Sequence, residues 1–202
     1  MKREEDGWPD PGRRLLSVNA LETFENSIEQ NGATFHEWNA PITRETVRSF
    51  LGEIGVAEAV FANVPELELN RSAESRETIS PILRSLSCPS PEQRAERLHS
   101  AEAGVFRAEW GLAPQGVLAV ELPSDAMGTV SLVPETSVIV LSADSVVDDG
   151  KILFEKLADA FEEGRTNWVI VSGPSATADM GALVQGVHGP ERVHVIIIQD
   201  DE

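Results

Sequence analysis

Three short apolar segments in the second half of the chain constrain the fold most strongly. Residues 137–141, 168–171 and 193–198 are apolar at nearly every position, which is typical of strands covered on both faces of a sheet. Residues 152–161 carry apolar side chains at helical spacing, and a short helix is predicted between the last two strands. Alternating strands and helices predict a parallel sheet with right-handed crossovers.

The first half of the chain predicts further α/β units. Leu21, Phe24 and Ile28 lie on one helical face, and Gly32 ends that helix. A second helix begins after Thr43 and stops at Gly55. Further predictions are strands at 57–62 and 117–122, and a helix that Ser90 caps and that reaches about residue 101.

The ends of the chain give the predicted domain organisation. Residues 1–14 are charged and interrupted by proline and glycine, without the apolar core of a signal peptide. We expect a flexible arm there and a single domain over residues 15–202. No apolar run approaches the length of a membrane span, and we expect a cytoplasmic protein.

The charge balance excludes several classes of partner. Lys+Arg number 16 and Asp+Glu number 34, which gives a net charge of −18. Nucleic acids and anionic membranes bind through lysine and arginine, so this chain is expected to repel both. Many carboxylates and few lysines are typical of proteins in a salt-rich cytoplasm, where salt screens self-repulsion. An acidic partner-binding face is the alternative, but the charges are spread along the whole chain.

Cysteine content limits metal and redox chemistry. Cys88 is the only cysteine, so the chain has no internal disulfide, no cysteine-rich zinc site and no cysteine-ligated iron–sulfur cluster. We predict no metal site and no cofactor bound by this chain alone.

The segment that follows residue 171 is the main candidate site. A buried strand runs into Gly173 and then into a predicted helix that begins at Ser175 or Thr177, with Asp179 in its first turn. Free amides at a helix start attract anions, and open α/β sheets bind ligands at the carboxyl ends of their strands. The alternative is that Ser175 or Thr177 only caps the helix and Asp179 only interacts with its dipole.

Two further places offer polar chemistry. His188 lies between glycines in a turn, next to Gly189, and is a candidate acid, base or hydrogen-bond donor to an anion. The alternative is that its ring bonds a backbone carbonyl and only holds the turn. Gly116 ends a tight turn that we expect near the same cleft, and Glu109 is a candidate acid or base beside it.

Two motifs together point to a known family. The sequence SGPSATAD spans residues 172–179, and GVHGP spans 186–190 ahead of a terminal Val/Ile strand. Ala103-Gly-Val, Leu112-Ala113, Gly116 and SLVP at 131–134 stand in matching order. Residues 103–199 thereby resemble the LUD domain of the lactate-utilization protein C family.

The resemblance implies a fold, a pathway and a set of residues. The implied fold is a three-layer α/β/α domain with a mainly parallel sheet, similar to ribose-phosphate isomerase and coenzyme A transferase. The implied role is oxidation of L-lactate to pyruvate beside two iron–sulfur proteins. The implied ligand-binding residues are Gly173, Ser175, Thr177, Asp179, His188 and Gly189, with Gly116 as a weaker member.

The chain also departs from the family pattern. Pro114 and Gln115 stand where the family usually has an acidic and a hydroxyl residue, Gly128 where an arginine is common, and Gly181 where a glutamate is common. These changes remove groups that transfer protons or clamp a carboxylate, and they leave three hypotheses. The chain is an accessory protein of lactate utilization that binds a small carboxylate or phosphate, a coenzyme A transferase or isomerase that uses His188 and Glu109, or a non-catalytic binding or regulatory module.

Overall fold

A computed structural model describes residues 20–39, 41–68, 81–86, 90–178, 181 and 184–199. Its helices are α1 (Ala20–Gln30), α2 (Arg44–Glu53), α3 (Pro65–Glu68), α4 (Pro91–Ser100), α5 (Asp125–Leu132) and α6 (Gly150–Glu162). Its strands are β1 (Thr34–Trp38), β2 (Glu58–Ala62), β3 (Ile82–Ser85), β4 (Ala103–Arg107), β5 (Trp110–Leu112), β6 (Val117–Glu121), β7 (Thr136–Ser142), β8 (Val146–Val147), β9 (Trp168–Val171), β10 (Ala176–Thr177), β11 (Val184–Gln185) and β12 (Arg192–Ile198). The predicted N-terminal arm and Cys88 lie outside the described residues.

Six parallel strands form the main sheet in the order β1, β12, β7, β4, β2, β3. β12 pairs with β7 over seven residues and with β1 over five. β2, β4 and β7 are almost entirely buried, as expected for parallel strands covered on both faces. The predicted strands at 57–62, 137–141 and 193–198 are confirmed as β2, β7 and β12.

Helices cover both faces of this sheet. On one face, α2 and α3 bury Leu51 and Leu67 against the strands. On the other, α1 and α5 bury Phe24 and Met127 against the alternate side chains of the same strands. This arrangement confirms the predicted α/β/α layering around a parallel sheet.

The predicted helix starts rest on side-chain caps that the structure contains. The Thr43 hydroxyl accepts the Thr46 N–H at 3.1 Å, and the Ser90 hydroxyl accepts the Gln93 N–H at 3.2 Å. Each cap satisfies an amide that has no partner within its own helix. The predicted starts of α2 and α4 are therefore confirmed.

Two of the predicted strands belong to a second sheet. β6 and β9 pair antiparallel to each other in a four-stranded sheet with the order β8, β5, β6, β9. α6 covers one face of this sheet through Leu153 and Leu157, and the other face packs on the main core through Leu118 and Val120. The prediction that 117–122 and 168–171 join one parallel sheet was wrong, because an apolar run does not identify the pairing strand. The expected burial of 168–171 on both faces was wrong as well, since no residue of β9 is fully buried and Ile170 is 51% exposed.

The short helix predicted before the last strand is also wrong within the described residues. β10 and β11 form a two-stranded antiparallel pair there, with Ala176 opposite Gln185 and Thr177 opposite Val184. The Ser175 N–H donates to the Pro190 carbonyl at 2.8 Å, and the Ser175 carbonyl accepts the Gly186 N–H at 2.9 Å. These long-range bonds hold the backbone extended and take the place of the first helical turn.

Two histidines meet on neighbouring parallel strands. His36 on β1 and His194 on β12 share a hydrogen bond of 3.1 Å between Nε2 and Nδ1, and the Phe50 ring packs edge-on against both. Burial lowers the pKa of His36, although Glu53 acts in the opposite direction. Burial, His36 and Arg192 lower the pKa of His194 to about 4.

This pair predicts acid sensitivity of the fold. Between pH 6.5 and 4 the unfolded chain binds more protons than the folded one, so the free energy of unfolding falls as the pH falls. We expect a contribution of about 1 to 2 kcal/mol from His194, after allowance for its partial exposure. Thermal unfolding at pH 7.5 and 5 should show a smaller loss of stability for His194→Gln than for the wild type. His99→Gln, at an exposed position, should behave as wild type, and an equal loss in all three proteins would contradict this assignment.

Candidate functional site

A cleft lies where the two sheets meet, beside the first residues of β7 and β12. Its volume is about 240 Å³. The end of α5, the chain that follows β9, the loop before β12 and one face of the main sheet enclose it. The cleft therefore lies at the amino ends of β7 and β12 and at the carboxyl end of β9. The site was expected after strand 168–171 and the cleft lies there, but that strand is not part of the main parallel sheet. The end of β9 reaches it because β9 belongs to the other sheet.

Four of the predicted site residues line this cleft. They are Gly173, Ser175, His188 and Gly189. The two loops that carry them are joined by the hydrogen bond from the Ser175 N–H to the Pro190 carbonyl. The two motifs, separated by several residues in sequence, thus form one wall of a single cleft.

The groups that can donate hydrogen bonds to an anion differ from those predicted. The Ser175 amide is already hydrogen-bonded, and no helix begins there, so a helix terminus with free amides is not the basis of this site. Among the described residues, the N–H groups of Gly173, His188 and Gly189 donate to no backbone carbonyl. Loop amides and side-chain hydroxyls are the donors that the cleft offers to a ligand.

Glycine is required at one position in this wall and fits closely at a second. Gly173 has φ +142°, and a Cβ there would lie 2.4 Å from the Asn31 carbonyl oxygen at the end of α1. A Cβ on Gly189 would lie 3.2 Å from the Ser175 Cβ. The absence of side chains lets both loops close on their neighbours, so these glycines shape the cleft and also line it.

The other predicted site residues lie elsewhere. Thr177, in β10, pairs with Val184 on β11. Glu109 is half-buried, precedes β5 and donates its N–H to the Ala119 carbonyl at 2.9 Å. Neither lines the cleft. Another carboxylate, Glu121 at the end of β6, forms an ion pair with Arg165 at 3.2 Å. Asp179 lies outside the described residues.

Gly116 supports the fold beneath α1. It adopts φ +57°, and a Cβ there would lie 2.5 Å from the Ser27 backbone carbon. Asn31 of α1 also donates its side-chain amide to the Gln115 carbonyl at 2.8 Å and to the Gly116 carbonyl at 3.1 Å. The structure therefore places this turn against the helix.

The cleft contains hydroxyls that sequence reasoning missed. Ser131 at the end of α5, Ser137 in β7 and Ser172 after β9 line it together with Ser175. Ser137 was included in a predicted apolar strand, where a lone serine was the only signal. Phe106, Leu132, Ile170 and Val171 complete an apolar side.

The electrostatics of the cleft contrast with the rest of the chain. Although the chain carries 34 acidic residues, no aspartate, glutamate, lysine or arginine is among the described residues that line the cleft. His188 is exposed at this site. Hydroxyls and amides without adjacent carboxylates can bind an anion through hydrogen bonds alone.

Comparison with known proteins identifies the family. The profile of the LUD domain matches residues 19–198. The chain belongs to the LUD domain family. This LUD domain is 36% identical over 117 residues to the uncharacterized protein YkgG of Escherichia coli (strain K12), a match that covers 54% of this chain and 51% of that protein.

Other relatives carry a functional name. Lactate utilization protein C of Bacillus licheniformis is 30% identical over 115 residues, covering 54% of this chain and 47% of that protein. Lactate utilization protein C of Bacillus subtilis (strain 168) is 28% identical over 117 residues, covering 54% and 47%. The matched part thus spans about half the length of these relatives.

A solved structure shares the fold. The crystal structure of a DUF162 family protein from Deinococcus radiodurans matches with a TM-score of 0.59 and 19% identity, covering 92% of this chain and 99% of that one. At this identity, the match supports the architecture of the LUD domain alone.

The placement of Gly116 predicts a structural effect of substitution. Gly116→Ala adds left-handed backbone strain and a contact with α1, and we expect a loss of about 2 to 3 kcal/mol in the free energy of unfolding. Gly164→Ala is the matched control, because Gly164 has φ +85° and nothing lies within 4 Å of its added Cβ. Thermal unfolding should show the larger loss for Gly116→Ala. Equal losses would contradict the close approach to α1.

Proposed function

We propose that this LUD-domain chain is an accessory protein of L-lactate utilization that binds a small carboxylate or phosphate in the cleft between its two sheets. The observation that supports this most directly is that serine hydroxyls, His188 and loop amides meet in one cleft with no acidic side chain among its described lining. Of the four serines, Ser131 already donates its hydroxyl to the Gly128 carbonyl, so Ser137, Ser172 and Ser175 are the serine donors. In a chain with a net charge of −18, such a neutral, donor-rich surface is the place where an anion meets least repulsion.

The size of the cleft supports a small ligand. Its volume of about 240 Å³ is below the roughly 300 to 1,000 Å³ that is usual for sites of drug-sized ligands. A carboxylate or phosphate oxygen accepts hydrogen bonds from the Ser175 and His188 side chains and from the Gly173 and Gly189 amides. Phe106, Leu132 and Ile170 are available to an apolar part of the ligand.

The pathway follows from family membership and from the relatives' names. Three curated relatives are named lactate utilization protein C. Oxidation of lactate to pyruvate needs an electron acceptor, and a chain with a single cysteine does not supply a cysteine-ligated cluster. Iron–sulfur proteins of the same cytoplasmic system are therefore the proposed partners.

The structure favours binding over catalysis for this chain. Of the two acid–base candidates, only His188 lines the cleft, while Glu109 lies outside it. A coenzyme A transferase or isomerase needs a nucleophile or a pair of acid–base groups at the reacting atoms. We therefore propose that the cleft holds and presents a ligand.

Thermal unfolding with a ligand panel tests the binding proposal. L-lactate, pyruvate and phosphate, each added at about 100 times its Kd, should raise Tm by about 5 to 10 °C if bound. His188→Ala should weaken the binding of the active compound by about tenfold, the effect of losing one strong hydrogen bond. His99→Ala, at an exposed histidine outside the cleft, is the matched control. The absence of any shift, or an equal loss in both variants, would refute the proposed site.

A second experiment tests the pathway. A tagged full-length chain purified from its source organism grown on lactate should bring along proteins with the visible absorbance of iron–sulfur clusters. Deletion of the gene should slow growth on lactate and leave growth on pyruvate unchanged. Normal growth on lactate without the gene, together with no captured cluster protein, would refute the role in lactate utilization.

A further inference from the structure

One hydroxyl in the cleft is buried without a hydrogen-bond partner. Ser137 is 1% exposed, and its Oγ has no partner among the described residues. Buried hydroxyls are usually paired, because an unpaired one loses its bonds to water and gains none in return. An exception at the wall of a ligand cleft points to a bond that a ligand completes.

The neighbours of Ser137 place it on the sheet side of the cleft. It stands in register with Gly104 on β4 and Val193 on β12. A Cβ on Gly104 would lie 2.0 Å from the Val130 carbonyl oxygen, so α5 packs directly on the sheet beside the serine. This contact brings Ser131 and Leu132, at the end of α5, to the same cleft as Ser137.

The residue before it offers an internal comparison. Thr136 is fully buried, and its Oγ1 also lacks a partner among the described residues. Successive side chains of a strand point to opposite faces, so Thr136 faces away from Ser137, and it does not line the cleft. Two adjacent hydroxyls are thus unpaired, but only one is positioned to meet a ligand.

The chemistry of the lining narrows the ligand class. Ser175 and His188 lie near the loops, Ser137 lies on the sheet side, and the Phe106, Leu132 and Ile170 side chains provide apolar surface. The cleft has a volume of about 240 Å³. A short acid with oxygens on two adjacent carbons offers polar atoms to both the loop side and the sheet side of the cleft, and carbon atoms to the apolar side chains. Inorganic phosphate leaves the apolar side chains without a contact.

We propose that Ser137 is the specificity-determining residue of this cleft: its hydroxyl hydrogen-bonds the C2 oxygen of a short 2-hydroxy or 2-oxo acid whose carboxylate lies at Ser175 and His188. This inference rests on the proposed function and adds the residue that selects the ligand. A serine hydroxyl both donates and accepts, so it can bond a hydroxyl or a keto oxygen at that position. An acid without this oxygen leaves Ser137 unpaired and binds more weakly.

The test compares L-lactate with propionate, which lacks the C2 oxygen. Calorimetric titration of the full chain should give a Kd about tenfold lower for L-lactate than for propionate. Ser137→Ala should bind the two acids equally, with the affinity for propionate kept. Because this change removes an unpaired buried hydroxyl, it should also raise the Tm of the ligand-free protein by about 2 to 4 °C.

Thr136→Val is the matched control. It removes the unpaired hydroxyl on the opposite face, so it should raise Tm similarly and keep the preference for L-lactate. Ser137→Cys keeps the shape of the side chain with a larger atom and a weaker donor, and should partly reduce the preference for L-lactate.

The outcomes separate this inference from the proposed function. Binding of both acids with equal affinity by the wild type, an undiminished preference in Ser137→Ala, or loss of the preference in Thr136→Val would refute the role of Ser137 and leave the binding site standing. Failure of the wild type to bind either acid would refute the small-carboxylate ligand, and the role of Ser137 with it.

Discussion

The pairing of β12 with β7 and β1 is the interaction on which the rest of the structure depends. β12 is the last described strand, yet it lies between β1 and β7 in the main sheet. Burial on both faces stabilises it there, since Val195 and Ile197 join one apolar cluster and Ile196 joins the other. The same insertion brings His194 against His36 and delivers the loop that precedes β12 to the cleft.

Close backbone approaches complete the cleft. Gly104 admits α5 to the surface of the main sheet, and Gly173 admits the chain after β9 to the end of α1. Each approach is closer than a Cβ allows, so glycine is required for packing at both positions. The positions of the serines therefore depend on the absence of a side chain at these two glycines.

If Ser137 acts as proposed, stability and ligand recognition oppose each other at this residue. An alanine there would fill the same space without an unpaired hydroxyl, and the folded chain would gain stability. Retention of a buried, unpaired group is typical of sites where function is maintained at the expense of stability. The chain carries a net charge of −18, yet the described lining of the cleft is uncharged. Neutral side chains at this position do not repel an anion.

The sequence by itself determined the elements that depend on local chemistry and burial. Apolar runs gave β2, β7 and β12, hydroxyl caps gave the starts of α2 and α4, and two motifs gave the family and four of the residues that line the cleft. It did not determine which strands pair, because periodicity records burial on a strand's faces and not the identity of its neighbour. Only the tertiary structure separated β6 and β9 from the main sheet, replaced the expected helix after Ser175 with an extended pair, and placed Ser137 in the cleft. Each of these depends on hydrogen bonds or contacts between residues far apart in the chain, which no local pattern contains.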